Sequence, residues 1–122
     1  MRWLIHGNVM PAAAEAMRRH EQKPLSAGDA QIAPDASIEE VLRGATKAQI
    51  EILTTDSSLV DAIFESGLPF GRTLVYLQLE GGDVEQDDAI DRLFKRYKRL
   101  SPGRMYTVTG SRVKVRQLPG KQ

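Results

Sequence analysis

The chain has 122 residues, of which 41% are hydrophobic and 27% charged, and it contains no cysteine. This length and composition fit one globular domain with a core of its own. The missing cysteines exclude disulfides and thiolate metal sites. No apolar run approaches the roughly 20 residues that cross a bilayer, and the apolar start is shorter than the about 7–15 residues of a signal peptide. We expect a single cytoplasmic domain over residues 1–119, no membrane association, and a loose end at residues 120–122.

The net charge of +1 conceals an uneven distribution. Residues 1–91 carry all 16 acidic side chains and 7 of the 17 basic ones, whereas residues 92–122 carry the other 10 basic side chains and no acid. So basic a segment can attract phosphates or an acidic partner. It can equally neutralise the acidic body of its own molecule or of a second copy.

The first half of the chain alternates strands and helices. Residues 2–5 predict a buried strand, residues 11–20 a helix that opens on Pro11, and residues 23–25 a short second strand. Residues 26–35 are rich in turn formers and predict a loop. Ser37 with Glu40 three residues later is a capping box, so a second helix should run from there to about residue 47.

The second half continues the alternation. Residues 50–55 predict a strand that leads into Asp56 and a helix ending near Gly67, and residues 73–79 predict the next strand. A long helix over residues 83–100 places Val84 on the same apolar face as Ile90 and Leu93. Residues 104–109 and 112–117 predict a hairpin around a two-residue turn that begins with Gly110.

This order predicts a three-layer α/β/α sandwich with a mainly parallel sheet and a C-terminal β-hairpin. Sheets of this kind place their sites at the carboxyl ends of the strands. The loops at residues 6–8, 55–57 and 80–83 are therefore the candidate functional segments.

Several segments resemble one family in order and spacing. They are Trp-Leu-Ile-His-Gly-Asn-Val at 3–9, Ser-Ile-Glu-Glu-Val-Leu at 37–42, Ile-Leu-Thr-Thr-Asp-Ser-Ser-Leu at 52–59, the strand at 75–79 and the hairpin over 103–109 and 112–119. Together they resemble the short PIN-like proteins of the PIN-domain ribonuclease superfamily, which are often predicted to be nucleases of bacterial toxin–antitoxin systems. The resemblance implies an α/β/α sandwich and, in active members, divalent-metal cleavage of RNA.

The acidic site of that family is incomplete here. His6 and Gly7 stand where the family has acids, and Ile38 and Ser58 replace two aspartates. Asn8, Glu39, Glu40 and Asp56 remain at matching positions. The resemblance thus implies a catalytic set of Asp56, Glu39, His6 and Asn8, with Asp56, Glu39 and His6 as metal ligands and Mg²⁺ or Mn²⁺ bound weakly or not at all.

Each of these residues also has a structural explanation. Mg²⁺ and Mn²⁺ prefer hard oxygen ligands, and an imidazole would suit Mn²⁺, Ni²⁺ or Zn²⁺. However, Asp56 is also a typical N-cap, and Glu39 occupies a first helical turn, where acids are favoured without any function. His6 can equally be a neutral hydrogen-bonding residue at the end of a strand.

The basic side chains form a second candidate site. Arg112, Lys114 and Arg116 alternate along the last strand, and Lys95 and Arg99 add charge near the end of the long helix. Such side chains hold nucleic-acid phosphates in a sequence-independent way. Alternatively, they protect an edge strand against unwanted pairing.

Two functions follow from these patterns. The first is a PIN-like, RNA-binding protein with weakened or lost nuclease activity, which if active would be a divalent-metal-dependent endoribonuclease. The second is a non-catalytic protein-interaction module on the same fold, with an antitoxin-like partner or a second copy of itself. A small-molecule site ranks last, because the chain has no glycine-rich nucleotide-binding motif.

Overall fold

The computed structural model describes residues 1–119, so the loose end predicted for residues 120–122 lies outside the described part. Six strands and four helices follow one another in the predicted order. They are β1 (Arg2–His6), α1 (Pro11–Arg19), β2 (Lys23–Leu25), α2 (Ile38–Ala48), β3 (Glu51–Thr54), α3 (Ser57–Phe64), β4 (Leu74–Leu77), α4 (Asp83–Arg96), β5 (Arg104–Val108) and β6 (Val113–Gln117).

The strands form one sheet in the order β2-β1-β3-β4-β5-β6. The first five strands in this order are parallel, and β6 runs antiparallel to β5 as the second arm of a hairpin. The chain moves from β1 outward to β2 and then returns across β1 to β3. The topological switch point therefore lies between β1 and β3, where doubly wound sheets of this order bind ligands.

Helices cover both faces of the sheet and give two cores. On one face, α1 and α4 bury Trp3, Leu53 and Val75 with residues of their own. On the other face, α2 and α3 bury Leu4, Ile52 and other side chains. Because successive side chains of a strand point to opposite faces, neighbours along β1 and β3 contribute to different cores. The predicted three-layer α/β/α sandwich with a C-terminal hairpin is confirmed.

The helix starts follow the local sequence. Pro11 is the first residue of α1, where its missing N–H costs no hydrogen bond. The capping box of α2 forms as predicted, because the Glu40 N–H donates to Ser37 Oγ (3.2 Å) and the Ser37 N–H to Glu40 Oε1 (2.8 Å). Asp56 caps α3 by accepting the Ser58 N–H at 2.8 Å.

Most predicted boundaries lie within one to three residues of the observed ones. The helix α4, the strand β4 and Val84 differ from the predictions as follows. The helix α4 ends at Arg96 instead of residue 100 because the backbone of Tyr97 is extended and the chain bends at residues 98–99, which leaves Leu100 buried in the same core. The strand β4 covers Leu74–Leu77 instead of residues 73–79, and the Thr73 N–H before it donates to a Glu51 carboxylate oxygen. Val84, predicted to face the core, is 67% exposed.

Across residues 1–119, no helix is both long enough and apolar enough to span a membrane.

Candidate functional site

Two threonines join the loops that follow β1 and β3. The Asn8 N–H donates to Thr55 Oγ1 at 2.7 Å, and Thr54 Oγ1 accepts the Asp56 N–H at 2.9 Å. The loops approach so closely that a Cβ atom on Gly7 would lie 2.7 Å from Thr55 Oγ1, and Gly7 also has a φ of +78°. Only glycine satisfies both requirements without strain.

His6 belongs to the same set of contacts. We call the hydrogen bonds that Thr54 and Thr55 make with residues 6–8 and with Asp56 the joint between β1 and β3. The Nδ1 atom of His6 lies 2.8 Å from the hydroxyl of Thr54, a fully buried residue. The Thr54 hydroxyl can donate its proton to Nδ1 or accept one from it, so both neutral tautomers of His6 satisfy this contact. Burial lowers the pKa of His6 below its ordinary value of 6.5, and the Asp56 carboxylate opposes this only in part. His6 is therefore a neutral hydrogen-bonding group near pH 7.

We call the residues at the carboxyl ends of β1 and β3, from His6 to Asn8 and from Thr54 to Asp56, the rim. The alternation of side chains along the strands divides this rim into two halves. His6 and Thr54 each lie two residues beyond a side chain, Leu4 or Ile52, that packs under α2 and α3, so they belong to that face. Thr55, one residue further along the chain, belongs to the face covered by α1 and α4. The first half of the rim consequently holds His6 and Asp56, and the second half holds Asn8.

Gln86 on α4 holds the backbone of the second half of the rim in place. Its Oε1 accepts the Met10 N–H at 2.7 Å, and its Nε2 donates to the Asn8 carbonyl at 3.1 Å. The side chain is only 5% exposed. Sequence reasoning missed this residue, although a signal was present: Gln86 precedes Ile90 by four residues and Leu93 by seven, so it is a polar residue at a core-facing helical position.

A polar cleft of about 610 Å³ opens beside this half of the rim. Residues from the ends of β1, β3, β4 and β5 and from α4 line it. The lining side chains with polar atoms are those of Asn8, Thr55, Tyr76, Gln78, Glu80, Gln86 and Thr109. Neither His6 nor Asp56 lines the cleft. A ligand that touches all the predicted rim residues must therefore extend across the joint between the two halves.

The predicted metal ligands are only partly brought together. His6 and Asp56 lie on the same half of the rim, but Glu39 forms an ion pair with Arg43 (2.7 Å) and lines a separate groove of about 320 Å³ between α2 and residues 68–71. Within residues 1–119, no three Asp, Glu, His or Cys side chains are grouped so that they could hold a metal ion together. Asp56 also uses one carboxylate oxygen as the N-cap of α3.

The predicted nucleic-acid-binding residues lie on both sides of the sheet. Arg116 packs over the ring of Phe64 in α3 at 3.9 Å, and alternation places Lys114 on that same face. Arg112 is in the hairpin turn, where its N–H donates to Thr109 Oγ1 at 3.2 Å beside the cleft. Lys95 belongs to α4, and the segment that carries Arg99 packs with α4 against the opposite face.

Fold and site together define a class: a doubly wound α/β domain with a hydrogen-bonded polar rim at its topological switch point. When the chain is compared with models of protein families, with curated proteins and with solved structures, it matches none of them. The PIN-like resemblance therefore rests on the sequence patterns alone.

Proposed function

We propose that this chain is a cytoplasmic, PIN-like RNA-binding domain whose metal-dependent nuclease activity is weakened or lost. The observation that supports it best is the joint between β1 and β3. Through Thr54 and Thr55 it brings His6, Asn8 and Asp56, three of the four residues implied by the family resemblance, to one rim. That rim stands at the switch point, where sheets of this class bind ligands.

The chemistry of the rim argues for weak metal binding. The charge of the Asp56 carboxylate acts on His6, whereas Glu39 is engaged by Arg43 elsewhere. Mg²⁺ is usually bound through one or two carboxylates, with waters and substrate phosphates as the remaining ligands. A single aspartate can therefore hold the ion only together with phosphates of bound RNA. The neutral imidazole of His6 would orient a phosphate oxygen or a water, and Asn8 would do the same from the other half.

The phosphate backbone needs basic side chains near this rim. Arg112 is next to Thr109, which lines the cleft, and Lys114 and Arg116 extend from it along β6. An RNA strand that leaves the cleft would meet Arg112 first and would reach Lys114 and Arg116 by passing over the edge strand β6 to the face of α2 and α3. Lys95 and Arg99 lie on the face of α1 and α4, as the cleft does, and would contact a strand that stays on that face.

Cleavage of a labelled single-stranded RNA in Mg²⁺ or Mn²⁺ tests the enzymatic part. Asp56→Ala should abolish any metal-dependent cleavage, but it also removes an N-cap at a cost of about 1 kcal/mol. Ser37→Ala removes the N-cap of α2 at a similar cost and touches no rim residue, so it serves as the matched control. Equal cleavage by wild type and Asp56→Ala would remove Asp56 from the mechanism.

Fluorescence anisotropy with the same RNA tests the binding part. Arg112→Ala should weaken binding several-fold and lower the slope of log K against log salt by about 0.7, the value for one phosphate contact to a single strand. Lys23→Ala removes an exposed base from the opposite edge of the sheet and should change neither quantity. RNA binding that is indifferent to Arg112 would refute the proposed path.

The second candidate is a non-catalytic protein-interaction module that binds an antitoxin-like protein or a second copy of the chain. The absence of a three-residue acidic or histidine cluster from residues 1–119 favours it. Purification from the native host distinguishes the two functions. A stoichiometric protein partner without nucleic acid would support the interaction module, and co-purified RNA would support the first proposal.

A further inference from the structure

The two edges of the sheet are built differently. The edge strand β2 has three residues with Pro24 in the middle, and both features discourage pairing with another chain. The edge strand β6 has five residues without proline, paired one to one with β5 and so without a bulge. The β6 edge lacks these two obstacles, and its own protection is the positive charge of Lys114 and Arg116, which repels a basic strand but not an acidic one.

The hydrogen-bond pattern shows which backbone groups of β6 point outward. The Thr109 N–H donates to the Arg112 carbonyl and the Leu118 N–H to the Gly103 carbonyl, both at 2.9 Å. In an antiparallel ladder, hydrogen-bonded and non-hydrogen-bonded pairs alternate. Between those two bonded pairs, Lys114 and Arg116 are therefore the residues of β6 that bond to β5.

The N–H and C=O groups of Val113, Val115 and Gln117 consequently face away from the sheet. Within the described chain, β5 is the only strand that pairs with β6. These three residues thus present an open row of three donors and three acceptors, which another extended strand can join.

The side chains of β6 select the kind of strand. On the face of α2 and α3 they are Lys114 and Arg116, and neither forms an ion pair with another described residue. On the other face they include Val113 and Val115, and Val115 is 38% exposed. Since directly opposed residues of paired strands share a face, a matching strand carries acids opposite the bases and apolar residues opposite the valines.

We propose that the outer edge of β6 binds an extended acidic peptide segment that alternates acidic and apolar residues and adds to the sheet as a seventh strand. A second copy of β6 fits poorly, because all of its charged side chains are basic and like charges would face each other. RNA could satisfy Lys114 and Arg116 but not the outward row of backbone groups. The inference does not depend on RNA binding at the rim.

Binding is measured by anisotropy with a labelled peptide that has the core Val-Glu-Val-Glu-Val between polar flanks. Two controls are a peptide of the same composition in the order Glu-Glu-Val-Val-Val and an alternating peptide with lysine in place of glutamate. We expect saturable binding of the first peptide, at least tenfold weaker binding of both controls, and weakening by salt. Equal binding of the alternating and reordered peptides would overturn the proposal, because a strand partner must keep its register.

Two variants separate backbone pairing from charge. Val115→Pro removes an outward N–H and no bond to β5, so it is compatible with an edge strand and should weaken binding at least tenfold. Val115→Thr keeps the N–H and the β-propensity and should change binding less than about threefold. A Val115→Pro protein that binds the peptide as wild type does would contradict strand addition.

Hydrogen exchange on the wild-type protein gives a test that needs no variant. The amides of Val113, Val115 and Gln117 should exchange rapidly in the free protein and become protected by the peptide. Those of Lys114 and Arg116 should be protected in both states. Protection confined to the rim, dimerisation through β6, or binding of a single-stranded RNA but not of the peptide would each refute the proposed partner.

Discussion

Substitution of Gly7 by alanine tests the joint between β1 and β3. At φ = +78°, an L-residue costs about 1–2 kcal/mol relative to glycine. The new Cβ would also lie 2.7 Å from Thr55 Oγ1, the oxygen that accepts the Asn8 N–H. Displacing that oxygen loses a hydrogen bond worth about 1 kcal/mol. We expect Gly7→Ala to lower the free energy of unfolding by about 2–3 kcal/mol.

Gly67 provides a matched control. Its φ is +74°, but no atom lies within 4 Å of the position that a Cβ would occupy. Gly67→Ala therefore bears only the conformational cost, of about 1–2 kcal/mol. Urea unfolding followed by circular dichroism measures both variants, and equal slopes would show that the same surface is exposed on unfolding.

A double-mutant cycle isolates the contact itself. In a Thr55→Ala background there is no Oγ1 to displace, so the additional cost of Gly7→Ala over Gly67→Ala should disappear, which gives a coupling of about 1 kcal/mol. If Gly7→Ala and Gly67→Ala cost the same in the wild-type background, the close approach of the two loops is refuted. The placement of Asn8 beside Thr55 would then be wrong as well.

Three further predictions concern other polar contacts. Gln86→Leu should cost about 1–3 kcal/mol, because it leaves the Asn8 carbonyl without its partner, and faster amide exchange at residues 8–10 would check it. Glu51→Ala should cost about 1–3 kcal/mol in urea unfolding, since this 3% exposed carboxylate accepts the buried Thr73 N–H as well as two hydrogen bonds from the partly exposed Arg72; a cost below about 0.5 kcal/mol, as at an ordinary surface position, would contradict it. The hydrogen bond from His20 lowers the pKa of Asp91 below 3.8, so this carboxyl stabilises the fold above about pH 3.8 and ceases to do so as the pH falls through its lower folded value. Melting temperatures measured from pH 5 down to pH 2 should therefore fall less in Asp91→Asn than in wild type.

The layout of the fold could be predicted because it depends on local signals. Apolar runs, the capping box at Ser37 and the hairpin turn at Gly110 each mark an element by chemistry within a few residues. The end of α4 could not be predicted in this way. Tyr97 and Leu100 continue the apolar periodicity of the helix, yet they pack against the same core from the non-helical segment that follows it. Periodicity alone does not distinguish these two arrangements.

The location of the candidate site could be predicted from the sequence, but the contacts that hold its residues could not. The rule that ligands bind at strand ends located His6, Asn8 and Asp56. The hydroxyls of Thr54 and Thr55, which hold these residues, act between segments about 47 residues apart in the chain. Nothing in the local sequence records such contacts. Nor could the sequence show that Lys95 and Lys114 lie on opposite faces, because that depends on where the chain leaves α4.

The ion pairs show which charges of the chain are neutralised within the molecule. In the first part of the chain, Arg19 at the end of α1 and His20 directly after it bind Asp87 and Asp91 on α4, so these acids are neutralised within the molecule. Between residues 92 and 119, by contrast, no basic side chain forms an ion pair with a described acid. The interpretation that the basic segment neutralises its own acidic body therefore has no ion pair in its favour. Its charge remains available to phosphates or to an acidic strand, and Val115→Pro distinguishes these partners because it changes the backbone edge and leaves every charge in place.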